Sequence, residues 1–211
     1  MVSDMNKKHL RLSLLSLFAF AVWTAALFFV DVQAIGPQGS SVGFASLNQW
    51  VHNLTGVHMT LYTITDWLGL IPIVFMLGFA ILGAFQWIKR RHLCAVDRSI
   101  LALGGFYLLV MAAYILFEFF VVNRRPILID GYLEASYPSS TTLMVLCVMP
   151  TAALQLHSRT KNRIITIIIA AFMLFMVIGR LISGVHWFSD IVGGLLLSLG
   201  LVHLYRGVSG L

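Results

Sequence analysis

Three residues in the C-terminal third of the chain have the types that transfer phosphate together: Arg180, His186 and Asp190. An imidazole nitrogen can attack phosphorus, a carboxylate can orient the ring through its other nitrogen, and a guanidinium can neutralise phosphate oxygens. The spacing suits those roles. Asp190 precedes Ile191-Val192-Gly193-Gly194 and is placed to serve near the N-cap of a helix. His186 falls about one turn earlier, within reach to donate a ring N–H to that carboxylate. A second group precedes this one: Arg124 and Arg125, with Glu118, Asp130 and Glu134 close by. Between the two lies Tyr137-Pro138-Ser139-Ser140-Thr141-Thr142, where Pro in a first turn opens a helix and presents free amides to an anion. The expected phosphate site is Arg125, Arg180, the amides and hydroxyls of Ser139, Ser140 and Thr141, and His186. Two plainer readings compete: an ion-pair network tying helix ends together, and ordinary helix capping.

These residues need elements to hold them, and composition says which. The chain has 211 residues, 59% hydrophobic and only 10% charged, against about a quarter charged in soluble domains. Coiled coil, disulfide scaffold, disordered tail and soluble nucleic-acid binder are excluded, and a polytopic membrane protein remains. A helix needs roughly 20 apolar residues to cross the hydrocarbon. Six stretches are expected to do so, at about 12–30, 68–88, 100–122, 141–156, 164–182 and 191–205, the fourth and sixth short for a crossing. The first exceeds a signal peptide's apolar core and is read as a retained helix, although Val32-Gln33-Ala34 imitates a cleavage site. Residues 36–65 are read as a long connection with a short interfacial helix over 46–54. The fold class expected is all-α, one bundle of six transmembrane helices over residues 1–211.

All but three of the fourteen bases fall on one side of this arrangement: Lys7, Lys8 and Arg11, Lys89 to Arg98, Arg159 to Arg163, and Arg206. The positive-inside tendency makes that side cytoplasmic, with both termini there. The exceptions are Arg124, Arg125 and Arg180, all expected outside beside the acids and the histidine. Ionisable groups at that depth are costly unless they face a protein interior, so their gathering marks a functional site.

Together these residues resemble the type 2 phosphatidic acid phosphatase (PAP2) superfamily of integral membrane lipid phosphatases. That family carries Lys-x6-Arg-Pro, Pro-Ser-Gly-His and Ser-Arg-x5-His-x3-Asp. Here Arg125-Pro126 matches the end of the first, Pro138-Ser139 the start of the second, and Arg180-x5-His186-x3-Asp190 the third. The resemblance implies a cell-membrane enzyme without metal or cofactor, acting on a lipid phosphate at the outer face. His186 would be the nucleophile forming a phosphohistidine, oriented by Asp190, with Arg125, Arg180 and Ser139 holding phosphoryl oxygens. No nucleic acid is expected as partner, and the oligomeric state is not set by the sequence.

This chain departs from the pattern. The first-motif Lys is Glu118, expected to pair with an arginine or to be protonated, and Arg124 stands in for some of the missing charge. The family's Gly-His after Pro138-Ser139 is Ser140-Thr141, and Gly179 replaces the Ser before Arg180. The missing His is the family's general acid, help typically worth about 10²–10⁴-fold. Three accounts of its loss compete. A pyrophosphate leaves as a phosphate monoester and needs little protonation, which favours polyprenyl pyrophosphate over phosphatidate or phosphatidylglycerophosphate. Alternatively Glu134, Glu118 or Tyr137 supplies the proton. Or the fold persists as a catalytically silent lipid-phosphate binder, under which an oriented nucleophile has no purpose.

Elsewhere, His52 and His58 lack a third ligand and read as loop residues. Asp66 and Trp67 are expected to cap and anchor the second span. His157 and His203 read as interfacial, and Cys147 as a buried inert thiol.

Overall fold

The computed structural model describes residues 4–209. They form helices α1 (Asp4–Ala26), α2 (Ala45–Thr55), α3 (Met59–Leu68), α4 (Leu70–Arg90), α5 (Arg98–Phe119), α6 (Ser140–Thr160), α7 (Arg163–Ile182) and α8 (Phe188–Ser209), with no strand among the described residues. Helices α3 and α4 run on across Gly69, so six helical runs are long and apolar enough to cross a membrane.

The helices outrun the spans that hydropathy marks. α1 starts at Asp4 and includes Lys7, Lys8 and Arg11, because a helix does not stop where the hydrocarbon does. The runs expected to be short at 141–156 and 191–205 are 21 and 22 residues long. The largest correction concerns 59–65, read as loop and found as the start of α3. Asp66 and Trp67 therefore do not cap a span; they lie in the last turn of α3, just before Gly69. The short helix expected over 46–54 is α2.

Helices α6 and α8 are the interior of the bundle, and α1 and α4 mainly face outward. α1 lies antiparallel along α8, where small residues allow close approach: Leu17 packs over Gly200, Leu10 over Gly207, and Ser13 Oγ donates to the Gly200 carbonyl at 2.8 Å. Two αL residues and one cap make the tight corners. Arg91 (φ 60°) ends α4, Lys161 (φ 52°) ends α6, and Asn162 accepts from the Ile164 amide to begin α7.

Chain direction then sorts the loops. The connections 27–58, 120–139 and 183–187 gather at one end of the bundle. Both described termini, the α4–α5 corner and the α6–α7 corner lie at the other. The 120–139 segment folds back on itself, with Arg125 N donating to Glu134 O, Ser136 N to Asn123 O, and Ile129 pairing with Tyr132 at the tip. Gly184 (φ 70°) lets the last of these loops press against the Gly56 backbone, where His58 N donates to Ser183 O.

Candidate active site

His186 stands in the short loop between α7 and α8, 3% exposed. Its Nδ1 is 3.0 Å from Ser136 Oγ and 3.2 Å from the Ser136 carbonyl oxygen. A carbonyl can only accept, so Nδ1 carries the proton and Nε2 keeps its lone pair. Nε2 is buried without a hydrogen-bond partner, and His186 forms part of the wall of a cavity of about 450 Å³. Burial, then the charges of Arg125 and Arg180, hold this imidazole well below its usual range of protonation, with the Ser136 carbonyl acting in the opposite direction.

The expected direct bond to Asp190 is corrected. Nδ1 and Asp190 Oδ2 are 3.9 Å apart, and Ser136 fills the gap: its hydroxyl donates to Asp190 Oδ2 while its oxygen accepts from His186 Nδ1. Asp190 is fully buried. It also accepts from Asn123 Nδ2 at 3.1 Å and from the Trp187 amide at 2.9 Å, the latter being half of a capping box at the start of α8. Asn123 continues to Ser189 Oγ, and Asn48 on α2 clasps Ser189 through both its amide and its hydroxyl. The interfacial helix is thus bonded to the helix start that carries the carboxylate.

Arg125, 8% exposed, lines the same cavity. Its Nε lies 2.9 Å from Glu134 Oε2 as an ion pair without hydrogen-bond alignment, and its Nη1 has no hydrogen-bond partner. Arg180, 1% exposed, is not among the residues that line the cavity. It donates from Nη2 to Thr141 Oγ1 at 2.7 Å, reaches Thr65 Oγ1 and Asp66 Oδ1 at 3.4 and 3.5 Å, and stacks over Tyr62. Asp66, assigned to capping, is therefore the arginine's counter-ion.

The remaining expected residues divide. Ser140, Glu118, Arg124 and Glu134 line the cavity, with Arg124 donating to the Leu133 carbonyl. Glu118 is exposed and makes no ion pair among the described residues, contrary to the pairing expected of it. Ser139 is fully buried, and its amide donates to the Asp190 carbonyl instead of facing an anion. Tyr137 is corrected as a proton donor: its hydroxyl is bonded to Thr24 on α1 at 2.7 Å, its ring packs on Phe20, and burial pushes the phenol further from ionisation. Ser136, Asn123, Asn48, Ser189 and Thr65 were not anticipated. The only signal for Ser136 was a hydroxyl next to the Tyr-Pro-Ser-Ser run. No group of three or more His, Cys, Asp or Glu side chains converges as metal ligands would among the described residues.

A bundle of membrane-crossing helices with a buried imidazole, a carboxylate and two guanidinium groups gathered at one end is the architecture of an integral membrane lipid phosphatase. The sequence model of the PAP2 superfamily matches residues 102–209, about half of the chain and all of this site's principal residues. The chain belongs to that superfamily. Its fold is similar to the crystal structure of a transmembrane PAP2 type phosphatidylglycerolphosphate phosphatase from Bacillus subtilis, with a TM-score of 0.63 and 19% identity, over 93% of this chain and 94% of that one. No curated protein matches the chain in sequence.

Proposed function

We propose that this phosphatase removes the terminal phosphate of a lipid at the non-cytoplasmic face of the cell membrane, with His186 as nucleophile and polyprenyl pyrophosphate, such as undecaprenyl pyrophosphate, as preferred substrate. One observation carries the reading: Nε2 of His186 keeps an unshared lone pair on a cavity wall while Nδ1–H is held from behind. In the first step the lone pair forms an N–P bond and the P–O bond to the lipid breaks, its electron pair leaving with the lipid phosphate. Water then attacks the phosphohistidine, releases inorganic phosphate and returns the imidazole. The positive charge gained by the ring between these steps is balanced by Asp190 through the Ser136 hydroxyl. Arg125 meets the phosphoryl oxygens from the cavity, taking them in exchange for Glu134, and Arg180 fixes Thr141 at the mouth of α6.

The preference for a pyrophosphate follows from the proton donors. Glu134 sits against Arg125, the hydroxyl of Tyr137 is taken up by Thr24 on α1, and the hydroxyl of Thr141 is held by Arg180. A leaving phosphate monoester needs none of them. The tail would leave where a narrow apolar cleft of about 10 Å³ between α4, α5 and α6 shares Tyr114, Ser140 and Leu143 with the cavity, and these helices would have to part to admit it. The orientation rests on the basic clusters at the opposite end. A second reading, a phosphatidylglycerophosphate or phosphatidate monophosphatase, draws on the substrate of the Bacillus subtilis protein with the similar fold. It needs Glu118 as acid, the cavity-wall carboxyl without an ion pair among the described residues.

The test is phosphate release by purified protein from polyprenyl pyrophosphate and phosphatidate side by side, with mass spectrometry of a rapidly quenched, acid-free sample. Faster release from the pyrophosphate with a phosphorylated peptide containing His186 is the expected result. Release equal to that of His186→Ala on every lipid leaves only a silent binder.

A further inference from the structure

At the end of the bundle away from His186, α6, α7 and α8 leave a groove of about 500 Å³ between them. Its walls are apolar, with Ala153, Ala170 and Met173 among them, and its mouth is rimmed by three basic groups: His157, Arg163 and Arg206. No acidic side chain among the described residues lines it. The setting of these bases differs from that of their neighbours. Arg90 and Arg159 at the same end share Asp97, whereas Arg163 and Arg206 make no ion pair among the described residues. Arg206 Nε is moreover buried without a hydrogen-bond partner, a cost that an exposed topology signal would not incur. Dimensions agree with one class of occupant. From Arg163 to Met173 is ten residues, about 15 Å of helix, or half of a hydrocarbon core about 30 Å thick. A basic rim above one leaflet's depth of apolar wall fits a lipid with a negatively charged head and chains lying along the helices.

We infer that this groove binds an anionic phospholipid of the leaflet opposite the active site, its phosphate between Arg163 and Arg206 and an acyl chain against Ala170 and Met173. The lipid bridges the three helices whose other ends carry Thr141, Arg180 and Asp190. Positive-inside topology accounts for bases at this end; it does not account for an apolar groove that finishes between two of them.

The experiment uses the full chain in phosphatidylcholine nanodiscs, titrated with phosphatidylglycerol, whose diester phosphate is not a phosphomonoesterase substrate. Bound lipid is counted by native mass spectrometry, with the melting temperature as a second readout. The expected result is a saturable site that raises Tm. Arg163→Ala/Arg206→Ala weakens it about thirtyfold, corresponding to about 1 kcal/mol per arginine near an anionic head group. Ala170→Trp, which fills the groove and keeps both charges, weakens it comparably, while Lys89→Ala/Arg91→Ala at the same end retains it. Equal loss in the Lys89/Arg91 variant means a diffuse basic surface and overturns the site. Equal binding of water-soluble glycerol phosphate, unaffected by Ala170→Trp, overturns the lipid.

Discussion

At the end where α6 and α8 begin, Arg125 and Arg180 are 8% and 1% exposed; Arg125 pairs with Glu134 of its own loop, and Arg180 is held by side chains from distant segments. At the opposite end Arg90 and Asp97 pair at 2.8 Å with 42% and 36% of their side chains in the open. The residue types are the same and the physics is not. A buried guanidinium gives up its hydration and persists only where neighbours or a ligand replace it, whereas an exposed pair contributes under about 1 kcal/mol. Burial separates the two arginines on which the proposed function draws from the exposed Arg90 at the opposite end.

The strongest attempt to break this contrast is a matched pair of substitutions. His186→Ala is expected to lower lipid phosphate release by about four to six orders of magnitude, as loss of a nucleophile does, while Arg91→Ala leaves the rate unchanged. Comparable losses would erase the distinction between the ends. Next is Arg125→Gln, expected to reduce kcat/KM about 10²–10³-fold and to move the pH profile. The imidazole must be neutral to attack. Burial and the two arginines favour the neutral form, so the acidic limb of the wild type lies below pH 6.5. Removing one repelling charge raises the histidine's pKa and shifts that limb upward; a shift downward contradicts the electrostatic account.

Two changes sharpen the chemistry at the site end. Thr141→His restores the family's acid and is expected to raise turnover of phosphatidate about tenfold or more relative to polyprenyl pyrophosphate; a constant ratio refutes the leaving-group argument. Ser136→Ala is expected to lower kcat about tenfold with little change in KM, because the Ser136 carbonyl still holds Nδ1–H after the hydroxyl is lost. Recovery in Ser136→Thr would tie the effect to the hydroxyl. The smallest effect belongs to the far end: Arg90→Ala should cost under about 1 kcal/mol by thermal unfolding.

The membrane spans were legible because an unbroken run of about twenty apolar residues matches the hydrocarbon thickness and little else in a folded chain. Arg180, His186 and Asp190 were legible because their mutual spacing fits within one helix–loop–helix. What escaped followed from the same facts. Hydropathy reports hydrocarbon and is silent on the polar turns of α1 and on α3, where Tyr62, Thr65 and Asp66 continue a helix beyond the apolar run. Ser136 reaches Asp190 across 54 residues of chain, Asn123 across 67, and Thr65 reaches Arg180 across 115. No local pattern encodes such meetings; only the docking of helices brings them about. Tyr137 shows the reverse error, since its place beside the Pro-Ser run suggested a proton donor while the nearness of α1 claimed its hydroxyl.

The antiparallel clasp of α1 and α8 sets an order of events during biosynthesis. The earliest of the described helices finds its main neighbour in the latest, with Trp23 donating to the Ser189 carbonyl and Ser13 to that of Gly200. A nascent chain with α8 still in the ribosome has an open bundle, an unclothed α1 flank and no Asp190. On the proposed function the site is therefore complete only once α8, which carries Asp190, has sealed against α1.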